Sequence, residues 1–178
     1  MWQSRLAKLV VLCGVLLWLP ALSRAADSNG PEVALSVYRV VAQADGSETL
    51  VQARQVKPGD RVEYAATYRN PGKLTIRNVQ ATLPIPAGAM QYIPSSASPT
   101  QVYASLNGKD FAPTPLMRVV TQPDGTQRKQ PVPASEYRYL RWNLGDLEAG
   151  KSRTVKARMR VESQATEATG PQAQGDQK

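Results

Sequence analysis

The chain has 178 residues, with 22 Lys and Arg against 14 Asp and Glu, 14 Pro, 12 Gly, one Phe, one Cys and no His. That length suits one domain with its own core, and the Pro and Gly content suits short strands joined by turns better than long helices. Lacking His, and with its one Cys in a segment expected to be removed, the mature chain has no residues for a Ser-His-Asp, Cys-His or structural zinc site.

The first 25 residues read as an export signal. Arg5 and Lys8 precede an apolar run from Leu9 to Leu19, Pro20 breaks it, and Ser23-Arg24-Ala25 supplies the small residues of a cleavage site. Cleavage is predicted between Ala25 and Ala26. The run is too short to anchor the chain, since a spanning helix needs about 20 apolar residues, so no stable membrane span is expected after cleavage. Cys13 follows Leu12 inside the run, which does not fit a lipoprotein site. With Arg5, Lys8 and Arg24 removed, the 22 basic residues fall to 19 and the formal charge from +8 to +5. An exported domain without disulfides must be held by its hydrophobic core.

Residues 26–32 form a polar linker, and the folded domain is expected over 33–162. Val33, Leu35 and Val37 open a strand running to about Ala42, Asp45-Gly46 is a hairpin signal, and Leu50 to Val56 returns. Pro58-Gly59-Asp60 then leads into a strand in which Val62, Tyr64, Ala66 and Tyr68 alternate with Arg61, Glu63, Thr67 and Arg69. Asn70-Pro71-Gly72 closes it, since Pro and Gly supply the dihedrals of a tight turn. In the next strand the apolar phase moves from even to odd numbers between Ile76 and Val79, which predicts a bulge near Arg77-Asn78. Pro84 and Pro86 keep Leu83 to Gly88 out of a sheet centre, so this segment should cross between sheets or run along an edge.

Short strands follow at Met90–Ile93 and at Gln101–Leu106, the latter turned by Asn107-Gly108 toward Phe111. A hairpin at Pro123-Asp124-Gly125 joins Leu116–Thr121 to Thr126–Gln130. Ser135–Leu144 places Leu140, Trp142 and Leu144 on one face, and Arg153–Val161 does so with Val155, Ala157, Met159 and Val161; Gly145 to Gly150 is a short turn between them. Residues 163–178 show no periodic apolar face and are expected to be a disordered tail. With no amphipathic helix and no internal repeat, the pattern predicts an all-β antiparallel sandwich carrying extra hairpins.

The succession VKPGDRVEYAATYRNPGKLTIRNVQATLPIPAGAMQYIPSSASP, followed later by LRWNLGDLEAGKSRTVKARMRV, resembles the repeat domain of bacterial surface and secreted proteins known as domain of unknown function 11. Pro58, Gly59, Asp60, Asn70, Gly72, Leu83, Pro84, Pro86, Gly88 and Tyr92 stand at that family's turn and step positions. Trp142, Leu144, Gly145, Leu147 and Gly150 meet its closing W-x-L-G-x-L-x-x-G pattern. The likeness covers Val56–Ser98 and Tyr139–Val161; the chain departs from the family before Val56 and between Thr100 and Ser135. The resemblance implies an immunoglobulin-like sandwich in the bacterial envelope or outside the cell, with no catalysis, no cofactor and no assigned binding residues.

Candidate chemistry is sparse. Asp60, Glu63, Glu136, Asp146 and Glu148 are the carboxylates available for a glycosidase-like pair, but Asp60 and Asp146 sit in predicted turns, where Asp commonly accepts from nearby amides. Asp146 and Glu148 are too few for a calcium cage, and Ser105 to Phe111 contains an Asn-Gly hairpin turn. Trp142 is expected in the core beside Leu140 and Leu144, with Tyr92 and Tyr103 the better candidates for stacking on a sugar. The charged feature with content is basic: Lys156, Arg158 and Arg160 alternate along the last strand, with Lys151 and Arg153 before them and Arg138 and Arg141 on the preceding one. If those two strands pair, the cations form a stripe, which is either a solvated face that discourages edge pairing or a contact for an anionic envelope polymer. The expectation is a non-catalytic exported module whose partner is an envelope protein, or alternatively an anionic or saccharide polymer bound through Arg141, Lys156, Arg158 and Arg160. Export separates the protein from nucleic acid, which is not an expected partner.

Overall fold

The computed structural model describes residues 30–163. The export signal, the Ala25/Ala26 cleavage site, most of the linker and the tail from 164 onward lie outside the described residues. The described residues form eleven strands in chain order: β1 (Glu32–Ala42), β2 (Glu48–Gln52), β3 (Arg61–Arg69), β4 (Ile76–Pro84), β5 (Met90–Tyr92), β6 (Tyr103–Ser105), β7 (Ala112–Pro113), β8 (Met117–Thr121), β9 (Gln127–Pro131), β10 (Tyr139–Leu147) and β11 (Ser152–Val161). They form a five-stranded sheet in the order β2-β1-β3-β11-β5, a four-stranded sheet in the order β4-β10-β6-β7, and a separate β8-β9 ribbon, all antiparallel. The fold is an all-β antiparallel sandwich. No helix among the described residues is long and apolar enough to cross a membrane.

The alternation in β3 explains why the first sheet is centred on it. Val62, Ala66 and Tyr68 are buried in the interior, and β1 and β11 pair with β3 over almost its whole length. Across the interior stand Leu140, Trp142 and Leu144 of β10 with Val79, Ala81 and Leu83 of β4. Burying such faces at about 25 cal/mol per Å² of apolar surface is the main driving term for a sandwich without disulfides. β3 contacts β4 and β11 contacts β10, so the four-stranded sheet ends beneath β3 while β1 and β2 extend past it. That overhang leaves Val33 and Leu35 more than half exposed although they share a face with buried Tyr68 and Ala66.

The predicted bulge is present: Asn78 has φ +53°, and the β4–β10 register shifts on both sides of Gly145, opposite Val79. Leu83 to Gly88 does both things its prolines permit. It finishes edge strand β4 at Pro84, and Ile85 to Gly88 then carries the chain over to β5 in the other sheet. Three expectations are corrected. Ser135 does not begin a strand; a single 3-10 turn, Ala134–Glu136, follows Pro133, and β10 starts at Tyr139. β2 ends at Gln52 instead of Val56, because after Ala53 the chain leaves β1 to reach the Pro58-Gly59 turn. The largest correction concerns β10 and β11, which do not pair. β10 lies in the four-stranded sheet and β11 in the five-stranded one, so the short connection between them crosses the sandwich. Their apolar faces thereby meet across the core, whereas a hairpin would set them side by side.

Candidate interaction surface

Five charged side chains from three strands meet on the outer face of the five-stranded sheet. Glu63, 7% exposed, accepts from Arg158 Nε at 3.0 Å and has Lys156 Nζ at 3.8 Å. The same Arg158 guanidinium donates through Nη1 to Glu48, and Glu48 also holds Arg61 at 2.7 Å. β11 and β2 are therefore tied together over the intervening strands β1 and β3. The hydrogen bonds from Arg158, then those from Arg61, hold the Glu48 carboxyl below the ordinary carboxylate range.

The expected basic stripe is corrected by this geometry. Arg141 lies on β10 in the opposite sheet, where its guanidinium stacks 3.5 Å from the Phe111 ring centroid and donates to Thr82 Oγ1 at 3.3 Å. Arg158 is engaged by two carboxylates, and Lys156 stands beside one of them. Arg160 is exposed, next in register to Arg61, and makes no ion pair among the described residues. Pairing of β10 with β11 was the condition for a continuous stripe, and the core-to-core placement of their apolar faces removes it. We expect Arg158→Ala to lower unfolding free energy by about 2 kcal/mol, because it strands the nearly buried Glu63 carboxylate. Chemical denaturation measures this, and an unchanged midpoint would show that the network carries no stability. The pH dependence has a definite sign. The folded-state depression of Glu48 gives stability that is present above the ordinary carboxylate value and lost as pH falls through the folded one. Arg158→Ala should flatten that acid limb.

The other singled-out residues are placed as follows. Trp142 is in the core, with Nε1 donating to Pro99 O at 2.9 Å. Tyr92 is also core, 2% exposed and stacked on Tyr137 at 6.2 Å between ring centroids, which corrects its reading as a sugar platform. Tyr103 is half-buried on β6. Asp60 Oδ2 accepts from Lys57 N at 2.9 Å, and Asp146 Oδ1 accepts from Asn78 N at 3.1 Å across the bulge. Glu136 pairs with Arg118 at 2.8 Å. These carboxylates serve separate turns and pairs. Among the described residues no three His, Cys, Asp or Glu gather as a metal site. A cavity of about 560 Å³ opens at the root of the β8-β9 ribbon, lined by Tyr92, Val102, Pro115, Val132 and Tyr137 among others. Tyr137 also anchors the ribbon, its hydroxyl accepting from Leu116 N at 2.8 Å.

What the surface offers a partner is strand edges, and most of them are blocked. In an antiparallel pair alternate residues turn their backbone groups away from the neighbour. On β4 the outward residues include Pro84, which has no N–H, and Thr82, whose N–H is taken by Tyr68 Oη at 3.2 Å. β5 is three residues long and its first amide turns onto Pro86 O. β7 carries Pro113, while β9 carries Pro131 and Lys129. Among the described residues two edge strands have no such block, and residues 32–36 of β1, which pair with β3 but not with β2, are open as well. Gln43 N donates to Ser47 O and Ala53 N to Val37 O, which directs Thr49 and Val51 toward β1 and leaves Glu48, Leu50 and Gln52 facing outward on β2. Val132 N donates to Leu116 O and Gln122 N to Thr126 O, which leaves Met117, Val119 and Thr121 facing outward on β8. Both edges carry exposed apolar side chains: Leu50 and Val51 on one, Met117 and Val119 on the other. Sequence reading missed them because edge status depends on which strands become neighbours; the signal present in the chain was the absence of Pro and Lys from ETLVQ and MRVVT. No family model, no curated protein and no solved structure matches the chain.

Proposed function

We propose that this chain is a non-catalytic, exported, immunoglobulin-like β-sandwich that works by protein interaction or structural presentation in the bacterial envelope. The observation that carries the reading is the pair of unblocked edge strands, β2 and β8, each with exposed apolar side chains, while the edge strands β4, β5, β7 and β9 are blocked among the described residues. A strand edge binds an extended segment through main-chain hydrogen bonds and gains selectivity from alternate side chains. Export rests on the n-region, apolar run and cleavage signature of residues 1–25, and the immunoglobulin-like assignment on the motif resemblance given above. The carboxylates support the same reading, since Asp60, Glu63, Glu136 and Asp146 are engaged separately in a turn, an ion pair, a second ion pair and a bulge.

The test is in-cell crosslinking of a tagged full-length protein, comparing Val119→Lys with the double variant Lys156→Glu/Arg160→Glu. Arg158 is left intact because its loss would disturb the fold. A discrete protein partner that survives the charge reversal and disappears with Val119→Lys supports the reading. Capture of anionic polymer that disappears with the charge reversal would replace it with the alternative.

A further inference from the structure

We propose that the free edge of β2 pairs with the same edge of a second copy of this chain, in antiparallel register about a two-fold axis at Leu50. This deepens the interaction reading by naming one partner, and it rests on that reading only for the idea that open edges are used. Three observations select the second copy.

The first is register. The outward-facing residues of β2 are Glu48, Leu50 and Gln52, and centring the pair on Leu50 sets each of them opposite another outward-facing residue: Leu50 against Leu50, and Glu48 against Gln52. Every one of them has an N–H to donate, and such narrow pairs exchange two hydrogen bonds each, giving about six across the seam. Centring on Thr49 or Val51 would set residues whose backbone groups point toward β1 at the dyad, and those groups are already used.

The second is charge. The Glu48 carboxylate is drawn back over its own sheet by Arg158 and Arg61, so the seam carries no facing like charges. Counted past the ends of β2, the same register sets Asp45 of one copy opposite Gln55, next in sequence to Arg54, of the other, twice by symmetry. Asp45 is held ionised below the usual carboxylate range by hydrogen bonds from Ser47 Oγ and N. Arg54 makes no ion pair among the described residues.

The third is contrast with β8, the other unblocked edge, which would also pair with itself in register about Val119. Its ribbon carries Arg118, Arg128 and Lys129 against Asp124. Two such ribbons would bring net positive charge together, so β8 is left for a different partner. In the β2 seam, Leu50 meets Leu50 on the outer face and Val51 meets Thr49 on the inner one, and cross-strand apolar pairs of this kind support pairing. The five-stranded sheet of one copy then continues into that of the other. A seam five residues long makes a small interface, so the association is weak and concentration-dependent.

The test uses the mature protein in sedimentation velocity up to about 1 mM, the weak end of specific association. Wild type is expected to shift from monomer toward twice the monomer mass with rising concentration. Leu50→Pro removes the central seam N–H on the side facing away from β1, a place where an edge strand tolerates Pro, and should weaken the dimer at least about tenfold. A second measurement covers the case in which that variant misfolds: Leu50→Cys, with Cys13 absent from the mature chain, should oxidise to a covalent dimer faster than Lys151→Cys in an exposed loop. Wild type that stays monomeric throughout, or Leu50→Cys that crosslinks no faster than the control, overturns the proposal. A monomer that still captures an envelope protein through Val119 would overturn the dimer alone and leave the interaction reading standing.

Discussion

Replacing Trp142 with Ala is expected to lower the unfolding free energy by about 4 kcal/mol, within the range for deleting a large aromatic from a core. The indole is 1% exposed at the middle of β10, and Ala81 is its register partner on β4. Its core cluster also contains fully buried Ala104 and Ala157 and nearly buried Ala66. Ala81 beside the ring is too short to refill the space when it is removed. The cavity therefore persists, which places the cost high in the range. Trp142→Phe keeps most of the volume but orphans Pro99 O, which now accepts from Nε1 at 2.9 Å, so it should cost about 2 kcal/mol. Urea unfolding with an unchanged slope would measure both. A cost below about 1 kcal/mol for the Ala variant would mean that the sheets close over the gap.

Replacing Asn70 with Ala is expected to cost about 3 kcal/mol although it removes very little apolar surface. Asn70 is 1% exposed and both its donor hydrogens and its acceptor oxygen are engaged: Nδ2 donates to Leu74 O and Leu147 O, both at 2.8 Å, while Oδ1 accepts from Gly72 N at 2.9 Å. Its own N donates to Lys151 O and its O accepts from Gly150 N, both at 2.9 Å. One side chain thus closes the β3–β4 turn and fastens it to the connection that carries β10 over to β11. The expectation can be separated from a simple loss of packing. Asn70→Asp preserves shape and the acceptor for Gly72 N but turns a carboxylate oxygen toward two carbonyls, so it should destabilise at least as much as Ala. If Asn70→Asp proves neutral, the amide is not what joins these turns.

Much of the fold was legible because local chemistry and tertiary role agree. The alternation in β3 survives in buried Val62, Ala66 and Tyr68, broken only where ion pairs bury Glu63, and the phase slip before Val79 is a real bulge. The tips at Asp45-Gly46 and Asp124-Gly125 are closed by the same device, an Asp carboxylate accepting from the backbone and hydroxyl of Ser47 or Thr126. What escaped is whatever depends on long-range pairing. A four-residue link such as Glu148–Lys151 suits a hairpin or a crossing between sheets equally well, and the alternation in β10 and β11 is the same in both. Hence the stripe assembled from Arg141, Lys156, Arg158 and Arg160 divides between two sheets, and its best-placed member is committed to Glu63 and Glu48. Tyr92 looks like an exposed aromatic in a short edge strand until Tyr137, more than forty residues on, is found stacked against it. Open edges are the same kind of property: ETLVQ reads as an ordinary strand, and only the sheet order shows that no described strand lies beyond it.

The measurement that tests the central claim most directly is site-specific photocrosslinking in living cells, with the reactive side chain placed at Val119 on the open edge of β8 and, for comparison, at Gln80 on the blocked edge of β4. The account predicts a discrete protein adduct at 119, retained at high salt, and none at 80. Equal yields at the two positions, or adducts that vanish as salt is raised, would contradict it, because recognition would then follow charge or mere exposure and not the free edge of a strand.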